Sequence, residues 1–394
     1  MKYNFDEMIP RQGTESVKWD AYESDTLPMW VADMDFRTAP PILDALRKRL
    51  EHGVFGYELV PDDYYAAIAS WFSRRHGWEG IRKENIVYTT GVIAAYSAAI
   101  KAMSRPGDKV ILQTPCYNAF FPAVRNNGCE ASCNDLIYRE GTYTIDFEDL
   151  ERRAEDPKAT VMLLCNPHNP AGRVWTREEL VRIGEICLRN HVFLISDEIH
   201  CELTYPGHDY TPFATLPKEL VRNSVSCISP TKAFNIAGIQ IANIFAADPE
   251  VRAKMDRAIN DNECCDVNVF GVAALKAAYN ESGEWLDELR AYLYENYLIV
   301  KSFLEKELPA VTALPLEGTY LMWLDCRAFL HPGEPLEGFS ERLAGHLRHQ
   351  AKLILSTGTI YGSGSEGFER LNIACPRERL LDGLERLKKG LNTY

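Results

Sequence analysis

Six short apolar runs, separated by stretches with helical patterning, constrain this chain more than any other feature. They occupy residues 85–89, 109–113, 160–165, 192–196, 225–228 and 241–245. Inside them apolar residues follow one another rather than alternating with polar ones. That is how strands read when both faces of a largely parallel sheet are covered. Between them lie helical patterns at 92–103, 117–126 and 176–190. The last opens with Thr176 and Glu179 at the spacing of a capping box. Strand and helix in alternation predict an α/β fold.

Outside this block the pattern differs. Helical patterns at 42–52 and 62–75, stopped by Gly53 and Gly77, precede the first strand. The first forty or so residues are rich in Asp and aromatics, lead into Pro40-Pro41, and read as an extended arm. After Asp266 come helices at 267–278 and 284–308, strands at 320–325, 353–356 and 370–374, and an amphipathic helix at 377–391. This mixed segment predicts a smaller α+β domain. At 394 residues the chain exceeds one ordinary core, so more than one domain is expected.

Bulk properties narrow the function. A net charge of −13 argues against nucleic acid as a partner, because phosphate binding needs a basic surface. No apolar stretch approaches the length of a membrane span. The start, Met1 to Glu7, lacks the apolar core of a signal peptide, and a cytoplasmic protein is the expectation. The 11 cysteines are odd in number and form no CxxC pair. Cys264-Cys265 are adjacent, while Cys165, Cys187, Cys227 and Cys326 lie in apolar segments, so reduced thiols are expected. The nine histidines lack the spacing of a zinc site, and no metal is expected.

Four motifs fall at the ends of predicted strands, where open α/β sheets place their ligands. Thr89-Thr90-Gly91-Val92-Ile93 runs from a strand through glycine into a helix, whose free N–H groups suit a phosphate; a plain turn reads the same way. Asn166-Pro167-His168-Asn169-Pro170-Ala171-Gly172 is a proline-fixed loop that holds the Asn169 amide in one direction. In Ile195-Ser196-Asp197-Glu198, a carboxylate follows directly on an apolar strand and needs a partner. A protonated pyridine nitrogen is one such partner, and a local backbone N–H is another. Finally, Lys232 sits in Ser229-Pro230-Thr231-Lys232-Ala233-Phe234-Asn235 after a buried strand, placed to form a Schiff base with a carbonyl cofactor. Ser229 and Thr231 add hydroxyls for a phosphate.

Asn169, Asp197 and Lys232 are spaced 28 and 35 residues apart on three successive strand ends. In this order the sequence resembles the fold type I pyridoxal-phosphate enzymes of the aminotransferase class I/II superfamily, over nearly its whole length. The resemblance implies a large domain with a mostly parallel seven-stranded sheet flanked by helices, covering 46–283. It also implies a smaller α+β C-terminal domain at 284–394, an N-terminal arm at 1–45, and pyridoxal 5'-phosphate as cofactor. Lys232 would hold the cofactor covalently and then act as acid and base at the substrate Cα. Asp197 would pair with the pyridinium nitrogen, Asn169 would bond the phenolic oxygen, and Tyr117 would stack on the ring. Gly91, Val92, Ile93, Ser229 and Thr231 would hold the phosphate. Arg370 would clamp the α-carboxylate of a small amino-acid substrate, a task that suits a planar guanidinium; a surface ion pair is the plainer reading of that residue. Tyr57 would reach the neighbouring subunit's phosphate in a homodimer with a shared active site.

Two departures from the aminotransferase pattern bear on the reaction. Gln240 stands where many of these enzymes carry a phosphate-binding arginine, and His200 stands where many carry a tyrosine that bonds the phenolic oxygen. Both resemble the cystathionine β-lyase and cysteine-S-conjugate β-lyase branch typified by MalY, PatB and cystalysin. So do Lys18-Trp19-Asp20, the run from Met29 to Phe36, and the stretch 362–376 around Arg370. Trp30 and Phe36 also read simply as core anchors of the arm. The expectation is α,β-elimination from an S-substituted cysteine. Amino transfer to a 2-oxo acid is the alternative, and a MalY-like protein with an added regulatory role is a third reading.

Overall fold

The computed structural model describes residues 2–261, 263 and 265–394, so Met1 and the Cys264 half of the adjacent cysteine pair lie outside the described residues. Seven strands build the main sheet: β1 (Ile86–Thr89), β2 (Lys109–Thr114), β3 (Glu130–Asp135), β4 (Ala159–Cys165), β5 (Phe193–Asp197), β6 (Ser224–Ile228) and β7 (Ala242–Phe245). Their spatial order is β1-β7-β6-β5-β4-β2-β3, with β7 antiparallel to both neighbours and every other pair parallel. The expected mostly parallel seven-stranded sheet is present.

The unbroken apolar runs have a direct physical cause. Along β4, Val161, Leu163 and Cys165 join one buried cluster, while Met162 and Leu164 join another on the opposite face. Both faces are dry, so both sets of alternate residues are apolar. Helix Val92–Met103 covers one face and packs over the centre of the sheet. Strand β3 was not legible in the sequence because it is the sheet's edge; Glu130, Ala131 and Asp135 face solvent and interrupt any apolar run. Helices Phe147–Ala154, Pro249–Asp261 and Phe339–His346 were also not foreseen. The helix expected from Tyr117 starts at Phe120, which leaves Tyr117 in the preceding loop.

After the long helix Gly283–Glu307 come the four strands of a second sheet: β8 (Thr312–Ala313), β9 (Leu321–Asp325), β10 (Ser356–Thr357) and β11 (Phe368–Asn372). Their order is β8-β9-β11-β10, all antiparallel. The strand expected at 353–356 is divided. Leu353–Ile354 pairs in parallel with Leu27–Pro28 of the arm, and only Ser356–Thr357 joins the second sheet.

The arm then passes between the two sheets without a ladder of its own, and side chains take over its backbone bonding. Trp30, Val31, Ala32, Asp33 and Met34 each have a carbonyl that accepts a side-chain donor, from Arg370, Asn372, Lys232, Asn372 and Asn235 respectively. Phe36 is a core anchor, packed edge-on to Phe5 and Tyr292. The strap is fixed by buried charge. Asp35 (1% exposed) lies 3.2 Å from Lys18 (2%), 3.0 Å from Arg379 and 2.9 Å from Arg11, and accepts the Trp19 indole N–H at 3.0 Å.

Burial alone would push the Asp35 carboxyl up, but Lys18, Arg379, the Trp19 donor and Arg11 together hold it below the usual carboxylate range. Its stabilising effect is therefore complete above the unfolded value of about 3.9 and is lost as pH falls through the lower folded value. Replacing Asp35 by Asn removes the carboxylate that Arg379 pairs with and leaves the buried Lys18 only Asp33, at 3.4 Å, at a cost of about 3–5 kcal/mol. Denaturant titration at neutral pH reads that loss directly. The variant's stability should also fall less steeply than the parent's below pH about 4.

Candidate active site

Because β1, β2, β4, β5 and β6 run in the same direction, their C-terminal ends open on one edge, and the predicted loops converge there. They enclose a cavity of about 340 Å³. Gly91, Val92, Ile93, Tyr117, Asn169, Asp197, His200, Thr231 and Lys232 all line it, together with Gln240, Ala32 and Tyr96.

Lys232 Nζ donates to the carbonyl of Ala32 at 2.5 Å. Burial and then the nearby Arg370 cation bring its pKa down to about 8, with Asp33 and Asp197 opposing the shift. Close to neutral pH a usable fraction of this lysine is therefore a free amine. Asp197 ends β5, in register between Cys165 of β4 and Cys227 of β6. One of its oxygens accepts the Ile199 amide at 3.1 Å, so the local backbone bond foreseen for it does form. Burial nevertheless pushes its carboxyl up to about 7 against that bond, and Glu198 adds to the rise. His200 is held neutral, since burial and the cations of Lys232 and Arg370 drive its pKa well below the ordinary value.

Arg370 is buried within β11 and is not a surface ion pair. It donates to Asn169 Oδ1 and to the Trp30 carbonyl, each at 2.9 Å, and its guanidinium stands 5.0 Å from the Tyr361 ring centre. It does not itself line the cavity and reaches it through Asn169. Ser229 lies one layer behind: its hydroxyl donates to the Ile241 carbonyl at 2.6 Å and meets the Thr231 hydroxyl at 2.8 Å. Tyr57 is 98% exposed on a loop outside the cavity. Gln240 lines the cavity in a left-handed conformation, φ 55°.

Sequence reasoning missed Ala32, Tyr96 and Tyr320. Tyr96 was detectable in principle, since it stands four residues after Val92 on the same face of the helix. Ala32 offers a backbone carbonyl, which leaves no trace in residue type, and Tyr320 donates its hydroxyl to that carbonyl from 288 residues away, which spacing does not reveal. His76, Cys201 and Glu202 also cluster closely. Glu202 already accepts the Trp71 indole at 2.6 Å and pairs with Arg75 at 3.1 Å, a cation that opposes a metal ion.

The cavity fits pyridoxal phosphate on its own chemistry. Asp197 is a carboxylate that burial pushes up despite the nearby Lys232 charge, so a cation set directly against it, as a protonated ring nitrogen would be, favours its ionised form. The Tyr96 hydroxyl and His200 Nδ1 are buried without a hydrogen-bond partner. Helix Val92–Met103 begins at Gly91 with no side-chain cap, so its first N–H groups are available to an anion. A Cβ at Gly91 would meet no atom within 4 Å, which leaves open space beside those groups.

These charges are coupled, and one substitution tests the coupling. Replacing Arg370 by Met removes the cation that repels a protonated Lys232, so the lysine pKa should rise from about 8 toward its ordinary value. The pH dependence of Lys232 acylation, followed by peptide mass spectrometry, measures that rise.

The aminotransferase class I and II family model matches residues 31–387. The chain is 44% identical to cystathionine β-lyase PatB of Bacillus subtilis, covering 99% of this chain and 100% of PatB. It is 33% identical to protein MalY of Escherichia coli, covering 97% of each. The crystal structure of cystalysin from Treponema denticola, which contains a pyridoxal 5'-phosphate cofactor, superposes with a TM-score of 0.94 at 35% identity, covering 100% of both chains. With the lysine, the aspartate and the uncapped helix gathered at one sheet edge, this chain belongs to the aminotransferase class I and II family, in the cystathionine β-lyase branch that includes PatB and MalY.

Proposed function

We propose that this protein is a pyridoxal-phosphate-dependent carbon–sulfur β-lyase. It cleaves an S-substituted cysteine such as cystathionine, with water, to a thiol, pyruvate and ammonia. One observation carries the reading: a lysine with a pKa near 8 and a buried carboxylate pushed up to about 7 line one cavity, in a chain 44% identical to a cystathionine β-lyase along its full length.

When bound, pyridoxal phosphate supplies an electron sink conjugated to the substrate Cα. Lys232 holds the cofactor between turnovers and, once released, takes the Cα proton; its lowered pKa suits a base working near neutrality. Loss of that proton lets the Cβ–S bond break, with the electron pair leaving on the thiolate sulfur. Asp197 pairs with the protonated ring nitrogen and becomes fully ionised beside it. Asn169 and His200 would hold the phenolic oxygen, and Tyr117 would cover the ring, all three from the cavity wall. The amides of Gly91, Val92 and Ile93, with Thr231, take the phosphate, and Ser229 acts through Thr231. With Gln240 in place of an arginine, this end relies on neutral donors and the helix dipole. Arg370 takes the substrate α-carboxylate, exchanging one of its present acceptors for it.

Tyr57 is read as the contribution of a second copy. Its exposure, on a loop with exposed Val54, Phe55 and Leu59, supports a homodimer that covers this apolar surface. We read the chain as an arm at 1–45, a cofactor-binding domain at 46–283 and a small domain at 284–394, a division supported by the two separate sheets. A cytoplasmic location fits a chain with no described helix long and apolar enough to cross a membrane.

Purified protein with pyridoxal phosphate should release pyruvate from cystathionine or an S-alkyl cysteine without any added 2-oxo acid. If no pyruvate forms and amino groups pass to an added 2-oxo acid, the protein is an aminotransferase and the lyase reading is wrong. Lys232→Ala should lower kcat by about 10²–10⁴. Arg370→Leu should raise KM roughly 30-fold or more, the cost of a lost charged contact to substrate.

A further inference from the structure

We propose that Tyr320 is a positioning residue for Lys232, holding the Ala32 carbonyl as a fixed dock for the lysine amine whenever that amine is free. The geometry is a shared acceptor: the Ala32 oxygen takes Lys232 Nζ at 2.5 Å and the Tyr320 hydroxyl at 2.9 Å. The carbonyl cannot drift, because the peptide units on either side are pinned. Asn372 Nδ2 donates to both Val31 O and Asp33 O at 2.6 Å, and Arg370 donates to Trp30 O at 2.9 Å. Tyr320 is buried, and its ring meets His200 edge-on at 6.0 Å. Burial, followed by the charge of Asp33, holds its hydroxyl protonated, so it is always a donor.

The inference rests on the reading of Lys232 as cofactor lysine and base. A freed amine that donates one N–H to Ala32 keeps its lone pair available for a proton. A carbonyl already accepting from Tyr320 has less density to offer an ammonium group, so it favours the neutral amine. This adds to the effects of the charged groups around Lys232: Arg370 from β11, Asp33 from the arm and Asp197 from β5. The uncharged side chains of His200 and Tyr117 complete the surroundings. Tyr320 therefore sets both where the amine waits and how readily it gives up its proton.

Tyr320→Phe keeps the ring and removes the hydroxyl. Tyr205→Phe is the matched control, since Tyr205 is also buried and donates to the Thr319 carbonyl of the same loop at 2.6 Å without touching Ala32. Cofactor-free protein is mixed with pyridoxal phosphate across a range of pH, and the rate of uptake is followed by visible absorbance. In Tyr320→Phe the inflection of uptake rate against pH should move to higher pH, and kcat of the loaded enzyme should fall up to about tenfold with KM nearly unchanged, the reach of one hydrogen bond. Tyr205→Phe should lower the melting temperature and leave the inflection in place. An unmoved inflection in Tyr320→Phe, or an equal shift in Tyr205→Phe, overturns the proposal. Lys232→Ala separates the two readings: if it still takes up cofactor with the parental pH profile, the assignment of Lys232 fails rather than that of Tyr320.

Discussion

A stretch of backbone that enters a protein interior without joining a sheet must find partners for its polar groups some other way. Residues 30–34 meet this demand with side chains drawn from distant parts of the chain, and the site depends on that arrangement. Arg370 and Asn372 come from the small sheet, and Lys232 and Asn235 from the loop after β6. Each donor satisfies the strap and is itself fixed by it. The Asp35 cluster anchors the strap at its far end, where three cations surround one buried carboxylate. A buried ion pair is weak support for stability but strong support for a particular geometry, because only one arrangement compensates all its charges.

Within the cavity the electrostatics follow from that geometry. Arg370 and Lys232 are both cationic groups placed among apolar walls, and each disfavours a second positive charge. Lys232 is the group able to release its proton, and burial first, then the Arg370 cation, lower its pKa. His200 responds in the same sense and stays neutral. Asp197 shows the opposite response, because burial outweighs the single N–H it accepts. The three groups thus titrate away from the values of the same residues in water, and such clustered shifts in one cleft point to a functional site.

Much of this was legible in the sequence, for reasons that particular residues make plain. Val161 to Cys165 read as a strand because both its faces are buried, and Asp197 stood out because it ends another such run. Strand β3 was illegible because an edge strand with one wet face carries no such signal. The single strand read at 353–356 is two, since nothing local marks Leu353–Ile354 as pairing with the arm and Ser356–Thr357 with β11. The Ser229 hydroxyl donates to the Ile241 carbonyl and meets the Thr231 hydroxyl, two contacts that residue type alone does not announce. Ala32 escaped notice altogether: its contribution is a carbonyl oxygen, and every residue has one.

The composite strap also bears on how the molecule comes into being. The contact between Arg370 and Trp30 joins residues 340 positions apart, and that between Asn372 and Val31 joins residues 341 apart. The main sheet draws only on residues 86–245 and needs far shorter loop closures. A ribosome therefore delivers every strand of that sheet well before the partners that seal the strap exist. During synthesis Lys232 is an ordinary amine on a partly formed scaffold, with Arg370 not yet beside it. Its reactivity is a property of the finished chain, acquired only when the last hundred residues close back upon the first forty.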